Sequence, residues 1–163
     1  MPARQKLCGQ FLKGDFKMAC NRKLKNPHYK SAQNAYNNAA QAFVAAGTPV
    51  NVLGILNTDT GCALKTNTGG FEVECSGLYR INYDVTATAT AAGVVTLQGY
   101  KDTAALPCMS AQATVAANDV VTLHTETTVY IPVCCNGTPT INAIIGGVAG
   151  TVNHVCASIV KLA

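Results

Sequence analysis

The stretch Gly77-Leu78-Tyr79-Arg80-Ile81-Asn82-Tyr83-Asp84-Val85-Thr86-Ala87-Thr88-Ala89 decides the fold class. Its odd positions, Tyr79, Ile81, Tyr83, Val85, Ala87 and Ala89, are apolar or aromatic. After Leu78 its even positions, Arg80, Asn82, Asp84, Thr86 and Thr88, are polar. Successive side chains of a strand point to opposite faces, so this run has one buried face and one wet face. It reads as part of an antiparallel sandwich rather than as a catalytic site.

Working outward, short strands are expected near 41–45, 49–56, 61–65, 70–75, 78–90, 94–101, 104–115, 119–132, 138–146 and 151–162. Turn residues separate most of them, among them Gly47-Thr48-Pro49, Ala92-Gly93, Asn118-Asp119, Asn136-Gly137 and Gly146-Gly147. The 119–132 run alternates as well. Val121, Leu123, Val129 and Ile131 share one face with Thr125 and Thr127. His124, Glu126, Thr128 and Tyr130 share the other with Val120. In the last strand Val152, His154, Cys156, Ser158, Val160 and Leu162 are expected on one face and Val155, Ala157 and Ile159 on the other. A strand apolar on both faces belongs in the middle of a sheet or against a partner. Many short strands at this spacing, with no convincing helix, predict an all-β antiparallel sandwich or jelly roll.

Composition agrees: hydrophobic residues make up 48% of the chain and charged residues 12%. Few charges suit a protein that packs much surface against copies of itself or a partner. The charge is unevenly placed. Residues 1–30 carry Arg4, Lys6, Lys13, Lys17, Arg22, Lys23, Lys25 and Lys30 against Asp15 alone, a net +7, whereas residues 31–163 carry −3. The chain therefore divides into a basic arm, 1–40, and a mildly acidic body, 41–163. A short helix over Tyr29 to Val44 and an extended arm both fit the Asn-rich run before Gln41. A basic arm seeks an acidic surface. Nucleic acid is disfavoured against a protein surface, although Tyr29 and Tyr36 could stack on bases, because the body is not basic.

No apolar run approaches the length of a membrane span, and Gln10, Lys13, Asp15 and Lys17 interrupt any signal-peptide core. No membrane and no classical secretion are expected, so most of the eight cysteines are read as reduced, small, buried hydrophobes. Zinc is disfavoured. Cys8, Cys20 and His28 lie in the arm and Cys134-Cys135 in a loop, but no C-x2–4-C pair occurs. Catalysis is disfavoured too. His124 with Glu126, and His154 with Cys156, each share a strand face and could be read as an acid/base pair, but such residues are more often polar positions on an exposed or inter-subunit face, and no GxSxG, HExxH, phosphate loop or dinucleotide fingerprint is present. No enzyme activity, metal or cofactor is expected.

The run F-E-V-E-C-S-G-L-Y-R-I-N-Y-D from Phe71 to Asp84 resembles the central strand of the C1q/tumour-necrosis-factor-like jelly rolls, with their Gly-x-Tyr-x-(Phe/Ile) signature. Ala117-Asn118-Asp119-Val120-Val121-Thr122-Leu123 resembles their later Gly-Asp-x-Val-x-Leu turn and strand, with Asn118 in place of the Gly. The ending Ala157 to Leu162 is similar to the last strand of bacterial and phage members, including C-terminal domains of spore-surface collagen-like proteins. The resemblance covers roughly residues 41–163 and implies a homotrimeric, non-enzymatic head. No Gly-X-Y stalk is present. A short basic arm in its place resembles small phage virion proteins that decorate a capsid or form head fibres. The implied partners are then further copies of the chain, the major capsid protein through the arm, and a host-surface glycan at the tip. The implied location is the virion surface after assembly in the host cytoplasm. A bacterial spore- or cell-surface adhesive domain and a carbohydrate-binding module are the alternatives. Tyr79, Tyr83, Leu123, Tyr130 and Ile159 are the candidate trimer anchors, since interfaces favour aromatics and large aliphatics. All of these but Tyr130 are equally suited to filling the core.

Overall fold

The computed structural model describes residues 31–52, 54–59, 64–133 and 137–163. The described residues form strands and turns, without a helix. The strands are β1 (Ala32–Asn37), β2 (Gln41–Phe43), β3 (Thr48–Pro49), β4 (Gly54–Asp59), β5 (Leu64–Asn67) and β6 (Gly70–Val73). They continue with β7 (Gly77–Ala89), β8 (Gly93–Lys101), β9 (Ala104–Val115), β10 (Val120–Ile131), β11 (Thr140–Gly146) and β12 (Gly150–Lys161). One sheet runs β10-β7-β12-β1-β4, with β2 following β1 along the same edge of β12. The other runs β5-β6-β11-β8-β9, with β3 beside β11. All pairings are antiparallel.

The core lies between the two sheets. From β7, Tyr79, Ile81, Tyr83, Val85, Ala87 and Ala89 are wholly buried, as their alternation requires. They meet Phe71 and Val73 of β6, Val95 and Leu97 of β8, Met109 of β9, and Ile141, Ala143 and Ile145 of β11. Each fully buried Val, Leu or Ile contributes about 1.5–3 kcal/mol of apolar burial, an upper estimate that ordering entropy offsets. The Phe71 and Tyr83 rings stand 6.3 Å apart at 60°, a tilted aromatic contact.

Two expectations need correction. Ala32–Asn37, assigned above to the arm, is neither helix nor arm. It is β1, inserted between β12 and β4 with Ala32 opposite Val160 and Asn37 opposite Val155. Its inward positions are Gln33, Ala35 and Asn37, two of them polar yet almost wholly buried, so no apolar alternation betrayed it. The second correction concerns Val152. A bulge at Asn153 in β12 shifts the register between Val152 and His154. Val152 therefore joins Val155, Ala157 and Ile159 on the buried face, leaving His154 outside. The central position expected for this strand holds: β12 lies between β7 and β1.

The strands give the sandwich two distinct ends. Ser31, Gly77, Ile131 and Ala163 lie at one, where the Lys161 N–H donates to the Ser31 carbonyl at 2.7 Å and the Leu78 N–H to the Ala163 carbonyl at 2.8 Å. Residues 1–30 therefore join the head at this end. The opposite end is built from the loops after β2, β7, β9 and β11.

Candidate self-association face

The outer face of the β10-β7-β12-β1 sheet has no second layer over it among the described residues. Register sets its side chains in rows. His124, Asp84, Cys156 and Tyr36 form one row across four strands. Glu126, Asn82, Ser158 and Asn34 form the next, and Thr128, Arg80, Val160 and Ala32 the one after. Cross-strand neighbours on one face are close enough to interact directly.

A hydrogen-bonded chain crosses three of these strands. The Ser158 hydroxyl donates to Asn82 Oδ1 at 2.6 Å, and Asn82 Nδ2 donates to Asp84 Oδ2 at 3.3 Å. His124 Nδ1 meets Asp84 Oδ1 at 2.6 Å. Because that carboxylate oxygen accepts, Nδ1 is the protonated ring nitrogen in this pair. Toward the far end, Thr86 and Thr122 pair at 3.0 Å, Asn153 Nδ2 donates to Thr88 Oγ1 at 2.7 Å, and His154 Nδ1 meets Asn38 Oδ1 at 2.6 Å. These polar groups are satisfied within one chain, so covering the face would not leave them orphaned.

The same rows bear on chemistry. Asp84 stands between Cys156 and His124, so the histidine is not placed as a base for the thiol. Burial pushes the Cys156 thiol up from its ordinary value, and the Asp84 charge adds to the shift. A nucleophilic cysteine needs the opposite environment. His124 takes Asp84 rather than Glu126 as its partner, and His154 takes Asn38 rather than Cys156. Among the described residues, no group of three or more His, Cys, Asp or Glu is placed to hold a metal ion. The described residues hold no helix long and apolar enough to cross a membrane.

The five candidate anchors separate cleanly. Tyr79, Tyr83 and Ile159 are wholly buried inside the single chain and Leu123 is 4% exposed, so core filling describes them and they have no surface left for a partner. The Tyr79 hydroxyl donates to the Cys75 carbonyl at 2.6 Å and the Tyr83 hydroxyl to the Ile141 carbonyl at 3.4 Å. Burial holds the Tyr83 phenol far above its ordinary range. Tyr130, by contrast, is 61% exposed. It lies opposite Leu78, whose carbonyl accepts the Leu162 N–H at 2.7 Å. Leu162 is exposed too. Tyr130, Leu78 and Leu162 thus form an apolar corner on a mostly polar face, at the end where residue 31 begins the head. Leu78 and Leu162 were missed as site residues. Leu78 did stand out as the apolar exception to the polar positions of its strand, but its neighbours lie on other strands.

Arg4, Lys6, Lys13, Lys17, Arg22, Lys23, Lys25 and Lys30, the arm residues expected from the sequence to bind an acidic surface, lie outside the described residues, as do Cys8, Cys20, His28, Cys62, Cys134 and Cys135.

No family model matches this sequence, and no curated protein does. Solved structures do match it in shape. Eiger TNF from S. frugiperda superposes with a TM-score of 0.63 at 10% identity, over 85% of this chain and 94% of that one. The globular domain of zebrafish complement 1qA gives 0.58 at 13%, over 82% and 97%. PRD1 vertex protein P5 gives 0.58 at 14%, over 80% and 72%. At such identities the likeness is one of fold, and the fold of this chain is the antiparallel jelly roll of the C1q and tumour-necrosis-factor type.

Proposed function

We propose that this chain is a non-enzymatic structural protein of a phage virion, a capsid decoration or head-fibre component. Residues 1–30 are its anchor and residues 31–163 a homotrimeric head that projects outward. The observation that carries the reading is the division of charge across one junction. A net +7 lies before Ser31 and −3 after it, and the junction falls at one end of the sandwich. A basic segment leaving one pole can bind an acidic capsid surface while the head stays clear of it. A vertex protein among the fold neighbours supports the virion setting. The sheet face, several of whose polar groups are bonded within one chain, supports self-association with its Tyr130 corner, and cyclic symmetry closes such a contact. Assembly in the host cytoplasm completes the proposal.

The test is removal of residues 1–30 followed by co-sedimentation with capsids that lack this protein. The full chain is expected to bind, with binding weakened by salt. The shortened chain is expected to keep its oligomeric state and lose binding. Unchanged binding by the shortened chain would defeat the anchor. Light scattering of the full chain should give about 51 kDa, three times 16.9 kDa, and a monomer would defeat the trimer.

A further inference from the structure

Three of the side chains on the outer face of β10, β7, β12 and β1 are Arg80, Asp84 and Glu126, its Arg and its carboxylates. Asp84 is matched within the chain, by His124 Nδ1 at 2.6 Å and by Asn82 Nδ2 at 3.3 Å. Arg80 and Glu126 are not. Both are exposed, and among the described residues neither side chain makes a hydrogen bond or an ion pair.

Register makes these two charges neighbours. Glu126 lies opposite Asn82 and Arg80 opposite Thr128, so they stand on one diagonal of the β7–β10 pair. Long side chains on such a diagonal are within reach of each other, yet the single chain leaves them apart. The next row beyond Arg80 is Leu78 with Tyr130, so the two charges border the apolar corner.

Covering this face takes both charges out of water, and a desolvated charge without a partner is strongly unfavourable. The two signs together select the occupant. An acidic surface would match Arg80 and repel Glu126 and Asp84. A basic surface would match Glu126 and repel Arg80. An uncharged surface would strand both. A second copy brings one of each.

We infer that Arg80 of one copy pairs with Glu126 of the next where two heads meet. The inference rests on the self-association proposed above and names the charges that specify it. A closed ring of like contacts uses every Arg80 and every Glu126 once, so no charge is left over. The guanidinium is a planar fork of N–H donors, and a carboxylate accepts two of them side by side, which fixes orientation as well as attraction. Tyr130, Leu78 and Leu162 beside the pair exclude water from it and strengthen it.

The experiment follows the mass of the full-length chain by light scattering through a dilution series. The wild type is expected as a trimer. Arg80→Glu and Glu126→Arg are each expected to weaken assembly roughly tenfold or more, because each sets like charges against one another. The double reversal exchanges the two ends of the pair and is expected to assemble within about threefold of wild type. An equimolar mixture of the two single variants is expected to assemble better than either alone, since two of the three contacts in a mixed ring then join opposite charges. Both side chains are exposed and unbonded, so the far-ultraviolet circular dichroism of the variants should match that of the wild type. A reversal that fails this check is replaced by Arg80→Gln or Glu126→Gln, with a loss of roughly threefold expected. A trimer indifferent to these substitutions, or a double variant no better than the singles, would overturn the pairing and leave the trimer standing. A mixture no better than its components would overturn it too, because the pair would then lie within one chain. A wild-type monomer would defeat the self-association reading itself, and the pairing with it.

Discussion

The two ends of the head differ in how they use charge. The end that receives residues 1–30 gathers the charged side chains: the Lys65–Glu74 ion pair, Lys101 beside Asp102, Arg80 and Lys161. The opposite end, the tip, has Asp119 alone, turned into its own loop. The arm end is held partly by side-chain bonds, as where Asp102 Oδ1 accepts the Thr140 N–H at 2.9 Å. The tip is tied by backbone bonds between its loops, with uncharged Thr48 and Thr90 hydroxyls and the Asp119 carboxylate adding to them.

Two glycines test this difference most severely. Gly147 at the tip and Gly137 near the arm end both have positive φ, 94° and 111°. A Cβ at Gly147 meets the Val94 carbonyl, whereas one at Gly137 meets nothing within 4 Å. Gly147→Ala is expected to cost about 3 kcal/mol or more, since strain and collision add. Gly137→Ala should cost only the left-handed penalty of roughly 1–2 kcal/mol. Equal losses in chemical denaturation would break the comparison.

Tyr79→Phe comes next. It removes the buried hydroxyl that donates to the Cys75 carbonyl, and a loss of about 1–2 kcal/mol is expected by the same method.

Asp102→Asn probes the charged end with a pH signature. The backbone hydrogen bond from Thr140 is the main cause holding the Asp102 carboxyl below its ordinary value, with Lys101 assisting. A depressed folded value means the stabilisation is fully present above the ordinary carboxylate range. It is lost as pH falls through the lower folded value. The side chain is half exposed, so the effect is small, about 0.5–1 kcal/mol at neutral pH. The melting temperatures of wild type and Asp102→Asn should converge in acid, and a gap that widened there would reverse the assignment.

Smallest in stability is Tyr130→Ala, within about 0.5 kcal/mol for the folded chain. Its expected consequence is a fall in assembled mass, read by light scattering. An unchanged mass would remove the apolar corner from the proposed interface.

Much of the body was legible because its strands alternate cleanly. β7, β8, β9 and β10 lie within a residue or so of the expected bounds, and the Asn118 turn adopts the left-handed conformation its Gly-like position implied. What failed did so for local reasons. β1 turns Gln33 and Asn37 inward, against the usual sense of polarity, and the bulge at Asn153 broke the period that assigned Val152. Of the interface candidates, only Tyr130 could be separated beforehand, because it alone stood on a polar strand face. Tyr79 and Tyr83 looked the same as anchors or as core, since both roles require large apolar surface.

The central place of β12 bears on the order in which the head is made. Ala32 pairs with Val160 and Asn37 with Val155, so the first described strand and the last lie side by side. β7 also waits for β12 on one edge, from Tyr79 to Ala89. On the ribosome this sheet therefore keeps two unpaired edges until nearly the whole described chain has emerged. Contacts of such long sequence separation slow folding and leave strand edges open to misassociation. A helper that shields β1 and β7 during synthesis would then raise the yield of native head without touching its final stability.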